Sequence, residues 1–190
     1  MRHRLVIARW KEDVAWARGY PHLVYDKGGG PLEADGLNVF PVSANPEGHE
    51  SHSYLLHIIL HYDDLDDWTT FVQGTPFDHA KEWGSQWCAE PAGGFAWVGH
   101  WMVADDQRGQ PHHFHYIPVG LAYEKIFERP APLAFEFCAG AQFVVSREKI
   151  RSYPLAFWEK VQALGFEPDF EFDWGYTMER LWGCLWNESL

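Results

Sequence analysis

Cysteine is scarce in this chain: Cys88, Cys138 and Cys184 stand far apart among 190 residues and form no CxxC pair. An odd, dispersed set argues against a disulfide framework or a thiolate zinc site and suits a reducing cytoplasm. Basic residues are also in short supply, with 15 Lys and Arg against 27 Asp and Glu and a formal net charge of −12. Such a surface repels phosphate backbones, and with no Lys/Arg stripe to offset it, nucleic-acid binding through electrostatics is disfavoured. No apolar run nears the roughly 18 residues of a membrane span, and the opening MRHRLVIARW lacks the apolar stretch of a signal peptide. The expectation is a soluble cytoplasmic protein acting on a small molecule or glycan, with no nucleic-acid or membrane partner; the sequence names no oligomeric state.

Aromatic residues are abundant instead, with 11 Trp, 13 Phe and 8 Tyr. They predict a core built on rings, or in part a groove where Trp rings stack on a sugar or other flat ligand. With 46% hydrophobic and 22% charged residues the chain should fold, and its length suits one domain over 1–190.

The opening reads as strand, short helix, strand and glycine turn: HRLVIARW, KEDVAWARGY, then PHLVYDKGGG. That is a βαβ beginning, which implies parallel strands, a right-handed crossover and a nucleotide-binding type of α/β domain. NVFPVSANPEG is extended. HESHSYLLHIILHYDDL is the strongest helix, with Leu55, Ile58, Ile59 and Tyr62 on one face. WTTFVQG is a further strand ending at Gly74, and the stretch from TPFDHAKEW to PHHFHYIPVG holds no period, so short strands, a short helix and an exposed loop are expected there. FEFCAGAQFVVS is strand-like, SREKIRSYPLAFWEKVQALG gives a helix pair capped by Ser146, and DWGYTMERLWGCLW closes the chain as an amphipathic helix with Met178, Leu181 and Trp182 on one side.

Several constellations offer chemistry. Asn45, Gly48, His49 and Glu50 lie in a strand-to-helix loop, a normal place for ligand contacts, although Glu50 is equally a stabilising first-turn acid. The strand WTTFVQ delivers Gln73 and Gly74 to the rim where open α/β sheets bind ligands, with Asp78 and His79 just beyond. Asp78 and His79 could orient one another for acid-base work or share a divalent cation; a plain turn is the competing view. His57 and His61 are four apart but lack the glutamate of HExxH, so they and the DDLDD run are expected to face water or end the helix. His112, His113 and His115 form a cluster without a nearby carboxylate. Glu179 and Arg180 are either a helix ion pair or a carboxylate turned back toward the cleft.

The blocks GHESHSYLLHIILHYDDLDDWTTFVQGTPFDH, AGAQFVVSREKIRSYPLAFW and MERLW, with LVIARWKEDVAWA and LVYDKG at the start, resemble those of the domain-of-unknown-function 3431 family. The resemblance carries over Gly48, Glu50, Tyr54, Gln73, Gly74, His79, Gln142, Ser146, Arg147, Glu179 and Arg180. His49 departs from it, standing where arginine is usual. The layout is in turn similar to GT-A-type glycosyltransferases, which implies a mainly parallel central sheet flanked by helices and a nucleotide-sugar donor. The strand that would carry an acidic DxD reads FVQGTPFDH here, so Asp78 and His79 become the tentative ligands for Mn²⁺ or Mg²⁺. Under that resemblance Glu50, Asp78, His79 and Glu179 are the catalytic candidates. Asn45, Gly48, His49, Tyr54, Gln73, Gly74, Gln142, Arg147 and Arg180 are the substrate-binding ones. Two other functions fit the residues: a His-based Zn or Fe enzyme, hydrolase or oxygenase, using His49, His52, His79 and the HHFH cluster, or a non-catalytic carbohydrate-binding protein.

Overall fold

A computed structural model of the chain describes residues 1–43, 48–81, 83–104, 116–170 and 172–187. Strand β1 (His3–Arg9) is the middle of a parallel set, with β2 (His22–Asp26) on one side and β4 (Trp68–Gln73) on the other. Strand β3 (Val39–Pro41) extends the set beyond β2. A 3₁₀ turn at Ala15–Gly19 makes the first crossover, in place of the expected short α-helix. Helix α1 (His49–Leu60) makes the crossover before β4.

Past residue 80 the strand directions change. Helix α2 (Trp83–Gln86) leads to β5 (Phe95–Trp97) and β6 (Trp101–Ala104). After α3 (Val119–Phe127), β7 (Phe135–Cys138) pairs with β6 in a separate antiparallel ribbon. Strand β8 (Phe143–Ser146) then runs antiparallel to both β4 and β5, giving the six-stranded order β3-β2-β1-β4-β8-β5. The sheet is therefore mixed and not mainly parallel. Between β7 and β8 lies a tight reversal at Gly140 and Ala141, both with positive φ, instead of a crossover helix, so β8 turns back against β4. Helices α4 (Arg147–Arg151), α5 (Leu155–Leu164) and α6 (Trp174–Asn187) complete the fold. Ser146 Oγ accepts from the Lys149 N–H at 3.1 Å, the cap that the sequence predicts.

Strand β1 is buried on both faces because helices and turns cover the sheet on both sides. Val6 and Ala8 join the larger core with α1 and α6, while Leu5 and Ile7 join the smaller one with Val14, Ala17 and Trp83. Rings fill the larger core, where Trp158, Trp174, Trp182 and Trp186 are buried and Trp182 and Trp186 pack on Phe143. Each fully buried large apolar side chain contributes about 1.5–3 kcal/mol relative to exposure.

Two expectations about α1 and its exit are corrected. His57 is in the interior, where its Nδ1 lies 2.9 Å from the Tyr25 hydroxyl, because α1 is covered on more than the one apolar face. Asp66 and Asp67 are likewise not a wet run: Asp66 is buried and pairs with Arg2 and Arg4, and Asp67 pairs with Arg147. Among the described residues no helix is long and apolar enough to cross a membrane.

Candidate functional site

Parallel neighbours on both sides of β1 create a point where the chain leaves the sheet in opposite directions, a crevice at the carboxyl ends of the strands. A cleft of about 480 Å³ occupies that place. The end of β1 supplies Ala8, Arg9 and Trp10, the end of β2 supplies Lys27, and the end of β4 supplies Gln73, Gly74 and Thr75. Glu12, His49, Glu50 and Asp78 complete the lining.

Glu50 lies in the first turn of α1, where free N–H groups favour a carboxylate. Burial nevertheless pushes its pKa up to about 7, with the neighbouring Glu179 carboxylate acting in the same direction. Its own backbone N–H, a hydrogen bond from Gln73 and the charge of Lys27 oppose that rise. A carboxyl poised near neutral pH exchanges protons in either direction with a bound hydroxyl. The Lys27 ammonium donates to the backbone oxygen of His49, tying the end of β2 to the start of α1.

Glu179 is held from behind the cleft. Its Oε1 accepts from the Gly140 N–H at 2.7 Å and its Oε2 from Arg180 Nη1 at 2.6 Å. The Arg180 guanidinium is buried, donates also to the Tyr176 carbonyl, and lies 4.5 Å from the centroid of the Phe137 ring. Gly140 has φ +77°, and a Cβ there would stand 2.7 Å from Gln73 Oε1 and 3.0 Å from the His79 ring. The reversal before β8 thus presses on the residue that hydrogen-bonds Glu50.

Arg9 shapes the rim more than it faces a ligand. Its guanidinium pairs with Asp26 at 2.6 Å and donates to the carbonyls of Glu12, Trp10, Gly30 and Pro31. One cation thereby fixes the turns after β1 and β2 together.

Of the residues singled out in the sequence, His49, Glu50, Gln73, Gly74 and Asp78 meet at the cleft. Gly48 is buried just ahead of α1. His79 is exposed one residue beyond Asp78, against Gly140 rather than on the cleft wall. Tyr54 is interior, packed on Phe71, Phe143 and Trp182. Gln142 is buried and donates to the Pro76 carbonyl at 3.1 Å, so it braces the turn carrying Asp78 and does not touch the cleft. Arg180 stands behind Glu179. Arg147 is at the other end of the sheet: it binds the Leu65 carbonyl and Asp67, beside the Ser146–Trp68 pair at the start of β4. A phosphate at the cleft is out of its reach. Asn45, His112, His113 and His115 lie outside the described residues. Among the described residues no three His, Cys, Asp or Glu side chains gather as a metal set.

Arg9, Trp10, Glu12 and Lys27 were missed. They are the first residues past the carboxyl ends of β1 and β2, and that position in a βαβ opening was the signal available.

A family model described as a protein of unknown function, DUF3431, matches residues 86–190, more than half of the chain. The chain belongs to the DUF3431 family. The matched span of this DUF3431 protein contains Gln142, Arg147, Glu179 and Arg180 and begins after every cleft-lining residue. Among curated proteins none matches.

Proposed function

We propose that the protein is a glycosyltransferase-like enzyme of GT-A-like architecture, transferring a sugar from a nucleotide-sugar donor to an acceptor hydroxyl in the cleft at the ends of β1, β2 and β4. The observation that carries this is Glu50, a carboxyl with a pKa raised to about 7 in the wall of the sheet's crevice. Gln73 orients it, and Glu179, locked by Gly140 and Arg180, opposes its ionisation. Perturbed carboxyls in clefts are where proton-transfer chemistry concentrates.

In the proposed reaction Glu50 takes the proton of the acceptor hydroxyl as that oxygen bonds to the anomeric carbon. The bond from the anomeric carbon to the donor phosphate breaks, and the nucleoside diphosphate leaves with the electron pair. Asp78 and Glu12 accept hydrogen bonds from sugar hydroxyls. The charge of Lys27 favours the ionised form of Glu50, the form that acts as the base. Mn²⁺ or Mg²⁺ would have Asp78 as its ligand on the cleft wall; with His79 on the far side of the turn, those two do not make a ligand set by themselves, and no step above is routed through a cation.

The test is a thermal-shift screen of nucleotide sugars, each with and without Mn²⁺, followed by assay of sugar release or transfer for any that bind. The proposal expects at least one nucleotide sugar to raise the midpoint and Glu50→Gln to keep binding while losing turnover. No shift from any donor, under either condition, removes it.

A further inference from the structure

Trp10 stands at the lip of the cleft with 41% of its surface exposed, although an indole usually finds cover. Its placement is fixed from several sides. The Trp10 N–H donates to Glu12 Oε2 at 2.7 Å, and the Trp10 carbonyl accepts from the Gly29 N–H at 2.9 Å and from Arg9. The indole lies so close on Gly29 that a Cβ there would stand 2.3 Å from the ring. Gly29, which carries no side chain, therefore backs the indole of this cleft-lining residue.

The cleft beside that ring is rich in acceptors. Glu12, Glu50, Gln73 and Asp78 line it beside Lys27, whose ammonium donates to the His49 carbonyl, and Arg9, whose guanidinium is committed to Asp26 and four backbone carbonyls. A flat apolar platform next to carboxylates suits a ligand with one C–H face and a rim of hydroxyl donors. A ring of that kind is a pyranose; a free nucleobase has no rim of hydroxyls, and a phosphate set beside Trp10 meets the Glu12 carboxylate.

We propose that Trp10 is a stacking platform for the apolar face of a neutral pyranose, whose hydroxyls donate to the carboxylates of the same cleft. This rests on the reading of the cleft as a sugar site and not on the transfer reaction, so it can hold in a protein that transfers nothing. It adds a subsite that receives the uncharged sugar and separates it from the part of the ligand that carries phosphate.

The test is ¹⁵N-indole NMR of the full chain, the Trp10 resonance being the one lost in Trp10→Phe. Methyl β-glucopyranoside, methyl β-galactopyranoside, uridine and inorganic phosphate are titrated separately. The expected result is a saturable shift of the Trp10 resonance with at least one pyranoside and none with phosphate. Read by isothermal titration calorimetry, since neither variant has the Trp10 resonance, Trp10→Phe should keep the affinity within a few-fold and Trp10→Ala should weaken it roughly tenfold or more, the worth of one ring contact. Because Trp10→Ala could unsettle the turn, Gly29→Ala serves as a second variant: it retains the indole but displaces it, and should weaken the pyranoside with the Trp10 resonance still visible. Absence of a shift with either pyranoside, or a shift with uridine alone, overturns the proposal. Failure of nucleotide sugars to bind or turn over, with the pyranoside shift intact, would sink the transferase reading and leave the platform standing.

Discussion

The Tyr25 hydroxyl and His57 Nδ1 stand 2.9 Å apart in the interior, joining β2 to α1 out of reach of water. Burial holds the His57 pKa well below the ordinary histidine value, with the charges of His61 and Arg4 adding to the effect. The folded ring stays neutral while the unfolded one gains a proton below about pH 6.5. The unfolded chain then binds more protons, so stability falls as pH drops through that point. His52, lowered to about 4 by burial and by Lys27, acts in the window between 6.5 and 4 in the same sense. Because Glu50 titrates in the opposite sense over the same range, the histidines are read in the Glu50→Gln background, where urea unfolding compared at about pH 7.5 and about pH 5 should show a loss of about 1 kcal/mol per histidine per pH unit. His57→Gln should remove one histidine's share of that slope, and an unchanged slope would contradict this account.

Glu50 behaves in the opposite sense. Its folded pKa of about 7 lies above the unfolded value of 4.5, so the folded state holds the extra proton between those values and stability declines as pH rises across them. Glu50→Gln, which cannot ionise, should therefore raise the melting midpoint at about pH 8 and give little gain at about pH 4. The gain at high pH is on the order of 1–3 kcal/mol, the lower end allowing for the part of the carboxyl that water reaches. A variant that is both more stable and inactive is the outcome expected of a site that trades stability for chemistry.

Removing one partner of the buried pair on α6 should be costly. Arg180→Met leaves the Glu179 charge without its guanidinium, and the loss should be roughly 3–5 kcal/mol by chemical denaturation. The double variant Glu179→Gln/Arg180→Met should recover part of that, since each residue accounts for much of the other's penalty. Strict additivity of the two single losses would mean that the pair is not coupled.

Gly140→Ala puts a methyl group 2.7 Å from Gln73 Oε1 in a turn with φ +77°. The expected loss is about 1–3 kcal/mol, read as a lower denaturant midpoint at unchanged slope. The same substitution should lower turnover beyond what its stability explains, because the residue it displaces is the one that orients Glu50.

What the sequence disclosed follows from local pattern. The apolar runs at HRLVIAR, HLVYD and WTTFVQ are strands at those places, and Gln73 at the end of β4 comes to one rim with Glu50 in the first turn of α1. What it hid was decided by pairing between distant segments. Arg147 follows the end of β8 as Gly74 follows the end of β4, but β8 runs antiparallel to β4, which puts Arg147 at the edge away from the cleft. His57 carries a polar ring, and only the arrival of β2 with Tyr25 gives that ring a partner inside. Gln142 and Arg180 look like ligand donors in a linear chain; in the fold their donors are turned to Pro76 and Glu179. Trp10, one aromatic among many, is distinguished only by the glycine turn that backs it.

The antiparallel seat of β8 also bears on synthesis. Strands β1 to β4 and the whole cleft wall leave the ribosome long before β8, so the outer edge of β4 at Thr69–Phe71 waits unpaired while β5, β6 and β7 are made. An open edge of that kind is a template for joining another chain. Truncations that stop short of Phe143 should accordingly aggregate through β4, and the last strand to enter the sheet serves as its seal.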